Sequence, residues 1–172
     1  MGIQLTPRPP NVEFTSLIVF LVGTSFGVLI GGTLGASVMI INGFLSPWGF
    51  AGLMLPFQTL GMFITGVVGG MYGQRKMGKY SLNSCGETAV LGAFLTLIYD
   101  IITNFGVAIS YVLLGLPLFP AFVAAMISGA PFSFIHVMSN LFVFLVVFFP
   151  LARALQEFFG GEDIWRKESI PM

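Results

Sequence analysis

Charge is what this sequence has least of: seven basic and seven acidic residues in a chain of 172, or 8% of the total, against roughly a quarter in ordinary soluble domains. The few charges are also unevenly spread. Residues 14–74 contain none, and residues 88–152 contain only Asp100 besides the single histidine, His136. A soluble fold of this size is excluded, because it would have no charged surface to present to water. Cysteine is nearly absent as well, and the lone Cys85 excludes a disulfide framework. One histidine and one cysteine, far apart in sequence, make neither a zinc site nor a thiol site, so no metal and no cofactor is expected. A formal net charge of zero without a basic run excludes nucleic acid as a partner. There is no phosphate-cradling Walker motif, so energy for any work must come from a partner or a gradient, and no enzyme activity is expected. Met1–Glu13 is polar and proline-containing and lacks the apolar stretch of a signal peptide.

What the chain does have is apolar length. Hydrophobic residues make up 56% and aromatic residues 15%. A hydrocarbon slab about 30 Å thick needs about 20 apolar residues per helical span, so the two uncharged blocks predict five to six transmembrane helices in an all-α, polytopic membrane bundle. The lipid bilayer is then the first partner. The expected organisation is a polar segment 1–13, one membrane-embedded domain 14–155, and a cytoplasmic tail 156–172. A short span is expected over 14–24, a tight turn between Gly23 and Gly27, and a second span over 27–44. Gly23, Gly27, Gly31 and Gly35 recur every fourth residue, a small-residue ridge of the kind that lets helix backbones approach closely in lipid. Ser46-Pro47-Trp48-Gly49 reads as a turn with an interfacial aromatic. A third span over 51–74 carries Gly66, Gly69, Gly70 and Gly73 and stops at Arg75, Lys76 and Lys79. The fourth opens on Ser84-Cys85-Gly86-Glu87, where Ser84 and Glu87 are spaced to cap one another's backbone N–H groups, and runs to about 114. Pro117 and Pro120 punctuate 117–130, read as a short helix lying on the surface or dipping in. Pro131 suits the first turn of a last span reaching about 149.

Arg75, Lys76 and Lys79 lie in one loop, and Arg153, Arg166 and Lys167 lie in or near the tail. The positive-inside rule makes both cytoplasmic. Walking back from them puts the 46–49 turn and the N-terminus outside and gives an odd number of spans.

Within the apolar blocks the strongly polar side chains are few: Asn42, Gln58, Tyr99, Asp100, Asn104, Tyr111, His136 and Asn140, with Trp48 beside them. Most fall in the outer half. Asp100 with Asn104, and His136 with Asn140, are each four apart and so share a helix face. Unpaired polar groups in hydrocarbon cost several kcal/mol, so these residues are expected to face one another or a wet cavity. Three readings stand side by side. The residues line an outward-open pocket walled by Trp48 and Tyr111, or Asp100 and His136 carry protons in a secondary carrier. Alternatively they bridge helices as glue at about 0.6 kcal/mol per contact in a structural subunit of a larger membrane complex.

The segments GTSFGVLIGGTLGASVMIINGF, SPWGFAGLMLPFQTLGMFITGVVGG, LTLIYDIITNFGVA and GAPFSFIHVMSNLFVF together resemble the S components, the substrate-binding membrane subunits, of energy-coupling factor (ECF) vitamin transporters. The resemblance covers about Phe14 to Leu155. It implies a helical bundle in a prokaryotic plasma membrane that captures a water-soluble vitamin or related nutrient from outside. It further implies association with a transmembrane coupling protein and two ATPase subunits. Carried onto this sequence, it marks Asn42, Trp48, Gln58, Asn104, Tyr111, His136 and Asn140 as ligand positions, with Asp100 close by. Gly23, Gly27, Gly31 and Gly35 become a candidate surface against the coupling protein. The region of Trp48 and Gln58 resembles cobalamin-type members. The family's first helix has no counterpart before Phe14, so the expectation is either a shortened product or a five-span branch.

Overall fold

The structure, a computed structural model, describes residues 12–45, 50–77 and 79–159. The turn 46–49 with Trp48, and the tail with Arg166 and Lys167, lie outside the described residues. Those described form α1 (Thr15–Phe26), α2 (Val28–Leu45), a single 3-10 turn (Gly52–Met54), α3 (Leu55–Lys76), α4 (Leu82–Leu113) and α5 (Leu118–Phe158). The all-α bundle expected from composition is what forms. Four of the helices are long and apolar enough to cross a membrane, and α1 is not. With 12 residues at 1.5 Å each it reaches about 18 Å, little more than half of a hydrocarbon core. The expected spans at 14–24 and 27–44 are therefore a half-helix and a full one. They are joined at Gly27, whose φ of 99° is a left-handed conformation that a side chain would strain.

The surface is inverted relative to a soluble protein. Leu29 and Phe134 are 77% and 69% exposed, whereas Thr24, Thr65, Thr88, Thr96, Asp100, His136 and Asn140 are buried. Apolar side chains gain nothing by leaving lipid, and polar ones lose heavily by entering it. The chain is a membrane protein.

Successive helices alternate in direction. α1 and α3 run parallel, α2 runs antiparallel to both, and close backbone contact holds the three together. A Cβ on Gly66 would overlap the carbonyl oxygen of Gly31, and one on Gly31 would overlap Gly66 in return. Gly23 sits against the backbone of Gly66 and Gly70, and Gly35 against that of Met62. The glycine ridge, expected as a candidate surface for a coupling protein, is thus occupied at Gly23, Gly31 and Gly35 by α3 of the same chain, and Gly27 is buried at the turn. An apolar core of Leu17, Phe20, Leu21, Ala89, Leu95, Phe144, Phe148 and Ala152 joins α1 to α4 and α5 toward the end bearing Arg75 and Lys76. Phe20 meets both Phe144 and Phe148 edge-on, with centroids 5.4 and 5.9 Å apart.

Two expectations about α4 and α5 are corrected. Helix α4 begins at Leu82, and its capping box pairs Ser81 with Ser84. Glu87 instead accepts from the Tyr72 hydroxyl at 3.0 Å and pairs with Lys76 at 2.5 Å. The opposed charge on α3 outcompetes the cap. Segment 117–130 is not a separate surface helix. Pro131 lies inside one continuous 41-residue α5 that starts after Pro117. A proline ring removes one backbone N–H, yet neighbouring helices often support an unbroken membrane helix through such a site. Pro131→Ala is accordingly expected to leave helical content by circular dichroism unchanged and to raise the melting temperature slightly, because it restores a backbone donor. A fall in helicity would show that the proline starts a separate element.

Candidate functional site

The polar residues meet where α4 crosses α5. Thr96 and Asp100 lie four apart on α4, and His136 and Asn140 lie four apart on α5. The antiparallel pairing of the two helices sets them opposite one another in two rungs. In the first, His136 Nδ1–H donates to Asp100 Oδ1 at 2.8 Å. In the second, Asn140 Nδ2 donates to Thr96 Oγ1 at 2.9 Å. His136 is 5% exposed, Asp100 7% and Asn140 not at all.

A third element completes the cluster. Glu13, just before α1, accepts from the backbone N–H groups of Thr15 and Ser16 and from the Ser16 hydroxyl. Its Oε1 also faces His136 Nε2 at 3.5 Å. A carboxylate suits this place, because the first turn of a helix presents unpaired N–H groups and the positive end of the helix dipole. The imidazole therefore stands between two carboxylates. Its ring lies edge-on to Tyr99, with centroids 5.8 Å apart and planes at 85°. The Tyr99 ring packs on Gly61, the seventh residue of α3, and its hydroxyl reaches Met39 Sδ on α2 at 3.8 Å. Gly61 fixes the depth of the site at about 9 Å below the start of α3, in the half of the bundle away from Arg75 and Lys76.

The hydrogen-bond inventory leaves a specific shortfall. The Thr96 hydroxyl has one proton, which it gives to the Gly92 carbonyl at 2.8 Å. It can only accept from Asn140, so the orientation of the amide is determined and Asn140 Oδ1 points elsewhere. Among the described residues, Asn140 Oδ1 and Asp100 Oδ2 are both buried without a hydrogen-bond partner.

Of the eight expected ligand positions, Asp100, His136 and Asn140 come together. Asn104 lies one turn along α4 from Asp100, and its side chain packs against Gly129 of α5. Asn42, Gln58 and Tyr111 are half-buried toward the same end. Tyr111 lies in the last turn of α4, where its carbonyl accepts from the N–H groups of Leu114 and Leu116. Trp48 is outside the described residues. Glu13 and Thr96 are site residues that sequence reasoning missed. Thr96 had no signal beyond its place four residues before Asp100. Glu13 had one: it is the last charge before a block of 61 uncharged residues, and it sits just ahead of Thr15 and Ser16.

Fold and site together define a helical membrane protein with an acid–base cluster buried among three of its helices. Comparison with protein families, with curated proteins and with solved structures returns no match for this chain. Among the described residues no three His, Cys, Asp or Glu side chains are grouped so as to hold a metal ion.

Proposed function

We propose that this chain is the solute-capturing membrane subunit of an ATP-driven uptake transporter, an S component of the energy-coupling factor type, in the plasma membrane of a prokaryote. Its ligand is a water-soluble vitamin or related micronutrient taken from the outside. Its work depends on a separate transmembrane coupling protein and ATPase subunits. The observation that carries this reading is the convergence of Thr96 and Asp100 from α4, His136 and Asn140 from α5, and Glu13 from just before α1, with two buried acceptors unfilled. Ionisable groups inside membrane helices are expensive, and each is by default a candidate for a solute or ion path. The cluster also lies in the half away from the basic residues, which the positive-inside rule makes the outer half.

The test is a thermal-shift and equilibrium-binding screen of the purified chain, reconstituted in nanodiscs, against water-soluble vitamins. At least one is expected to bind in the nanomolar to micromolar range without a proton gradient. Asn140→Ala is expected to weaken that binding by about 10-fold, the loss of one buried hydrogen bond. If no vitamin binds and Asn140→Ala changes only stability, the polar residues are helix glue and the proposal is wrong.

One observation favours a second reading, a proton-coupled carrier: the His136 imidazole is flanked by Asp100 and Glu13, an arrangement suited to passing a proton. Uptake driven by a pH gradient into vesicles that lack any ATPase, and abolished by Asp100→Asn, would replace the capture reading with this one.

A further inference from the structure

We infer that the buried site takes the positively charged, N–H-donating end of a solute, a protonated amine or amidinium, and not a carboxylate or phosphate end. This rests on the capture reading and narrows it to one chemical class. Two independent features lead to it.

The first is hydrogen-bond polarity. The two unfilled groups, Asp100 Oδ2 and Asn140 Oδ1, can only accept. One N–H of the Asn140 amide is given to Thr96, and the hydroxyl proton of Thr96 to Gly92. His136 Nδ1 is held by Asp100 Oδ1, and its Nε2 faces Glu13. The Ser16 hydroxyl donates to Glu13, and that of Thr103 to the Tyr99 and Asp100 carbonyls. These hydroxyl donors are committed, and the two cluster atoms left without a partner are oxygens. An anionic group entering here would meet oxygen lone pairs, whereas an ammonium brings the donors that such acceptors lack.

The second feature is charge. In their ionised forms Glu13 and Asp100 carry two negative charges, and His136 returns at most one positive charge. Neither Lys nor Arg occurs between residues 14 and 74 or between 88 and 152. With both carboxyls ionised the cluster is negative by one charge or two, in a medium where an uncompensated charge costs several kcal/mol. The first-turn N–H groups of α1 offset part of the Glu13 charge. They do not reach Asp100, whose second oxygen is left bare. A bound cation supplies both the missing charge and the missing donors. A sodium ion supplies only the charge, and its preference for a full shell of oxygen ligands is poorly met by two.

The experiment compares three probes built on one ring: pyridoxamine, which carries an ammonium, pyridoxine, which carries a hydroxyl in its place, and 4-pyridoxate, which carries a carboxylate. Binding to the full chain in nanodiscs is measured by thermal shift and by equilibrium dialysis, alongside the wider vitamin panel. Pyridoxamine is expected to bind at least 10-fold more tightly than pyridoxine, with 4-pyridoxate weakest, and the tightest ligands of the panel are expected to be cations. Asn140→Asp keeps an acceptor and adds negative charge, so pyridoxamine affinity is expected to hold within threefold or to rise. Asn140→Leu is expected to lower it at least 10-fold. Helical content of both variants is checked by circular dichroism. If neutral or anionic solutes bind most tightly and still depend on Asn140, the inference is overturned while solute capture stands. If nothing in the panel binds at millimolar concentration, capture itself fails.

Discussion

An Asp100→Ala variant is expected to unfold about 3 kcal/mol more readily than the parent chain. The reason is what the substitution leaves behind more than what it removes. His136 would remain buried between helices with its Nδ1–H unpaired and with only the long 3.5 Å contact to Glu13 on its other nitrogen. Breaking one half of a buried pair costs about 3–5 kcal/mol, whereas replacing both halves with apolar side chains is often close to neutral. The paired variant Asp100→Leu/His136→Leu is therefore expected to recover most of the lost stability, measured by denaturant titration in mixed micelles, while binding no solute. That combination separates the structural part of the pair from its proposed part in solute binding. If the paired variant stayed as unstable as Asp100→Ala, the 2.8 Å bond would be holding the fold together and the site would not be expendable to the bundle.

Gly66→Ala is expected to disturb the structure more than a methyl group added at any other helical glycine, lowering the yield of folded protein sharply and costing more than about 3 kcal/mol. The new Cβ would occupy the place of the Gly31 carbonyl oxygen, and both atoms belong to rigid helical backbone, so neither can swing aside as a flexible side-chain tip would. The three-helix seam of α1, α2 and α3 would have to open. Gly86→Ala makes the matched control. It too lies within a helix, but a Cβ there meets nothing within 4 Å, so the gain in helix propensity, about 1 kcal/mol, is expected to leave the protein unchanged or slightly more stable. Comparable melting temperatures for the two variants would contradict the seam.

The contrast between Gly66 and Gly86 also shows how much of the fold was legible in the sequence. Both stand inside helices, yet only Gly66 belongs to a run of small residues spaced at three and four, facing a matching run at Gly23, Gly31 and Gly35. Close helix packing could be read from that periodicity. Its partner could not, because the same ridge serves equally well inside a chain or between chains, and here α3 takes it. Helix ends were legible where a basic cluster or a glycine stops the helix, as at Lys76 and Gly27. They were misread where two local signals competed. Pro131 looks like a helix start, but the apolar residues on both sides of it continue one packed face. Ser84 and Glu87 have capping spacing, but a lysine across the loop claims the glutamate. At the site, fourfold spacing correctly placed Asp100 and His136 on inward faces. The i+4 partners then diverged: Asn140 closes a rung with Thr96, while Asn104 turns onto Gly129. Spacing along one helix fixes a face, and only the crossing of two helices decides which turn of that face meets a partner. Glu13 was overlooked because a charge at the edge of an apolar block looks like the place where the chain meets water. Here the helix that follows it is too short for that, so the edge of the block lies inside the bundle.

The unequal lengths of the helices have a consequence for the surrounding lipid. Met54, at the end of the 3-10 turn, and Phe57, in the first turn of α3, sit beside Gly106, so the last seven residues of α4 and the opening turns of α5 rise about 10 Å beyond the start of α3. That crest is oily, with Leu113, Leu114, Leu118 and Phe119 all open to the surroundings. Acyl chains on one flank of the molecule therefore border a tall wall and on the other a low one, and a leaflet of uniform thickness cannot suit both. Drawing the bilayer up on the tall side, or tilting the bundle, relieves that mismatch, and a tilt of the chain in the membrane is the expected result.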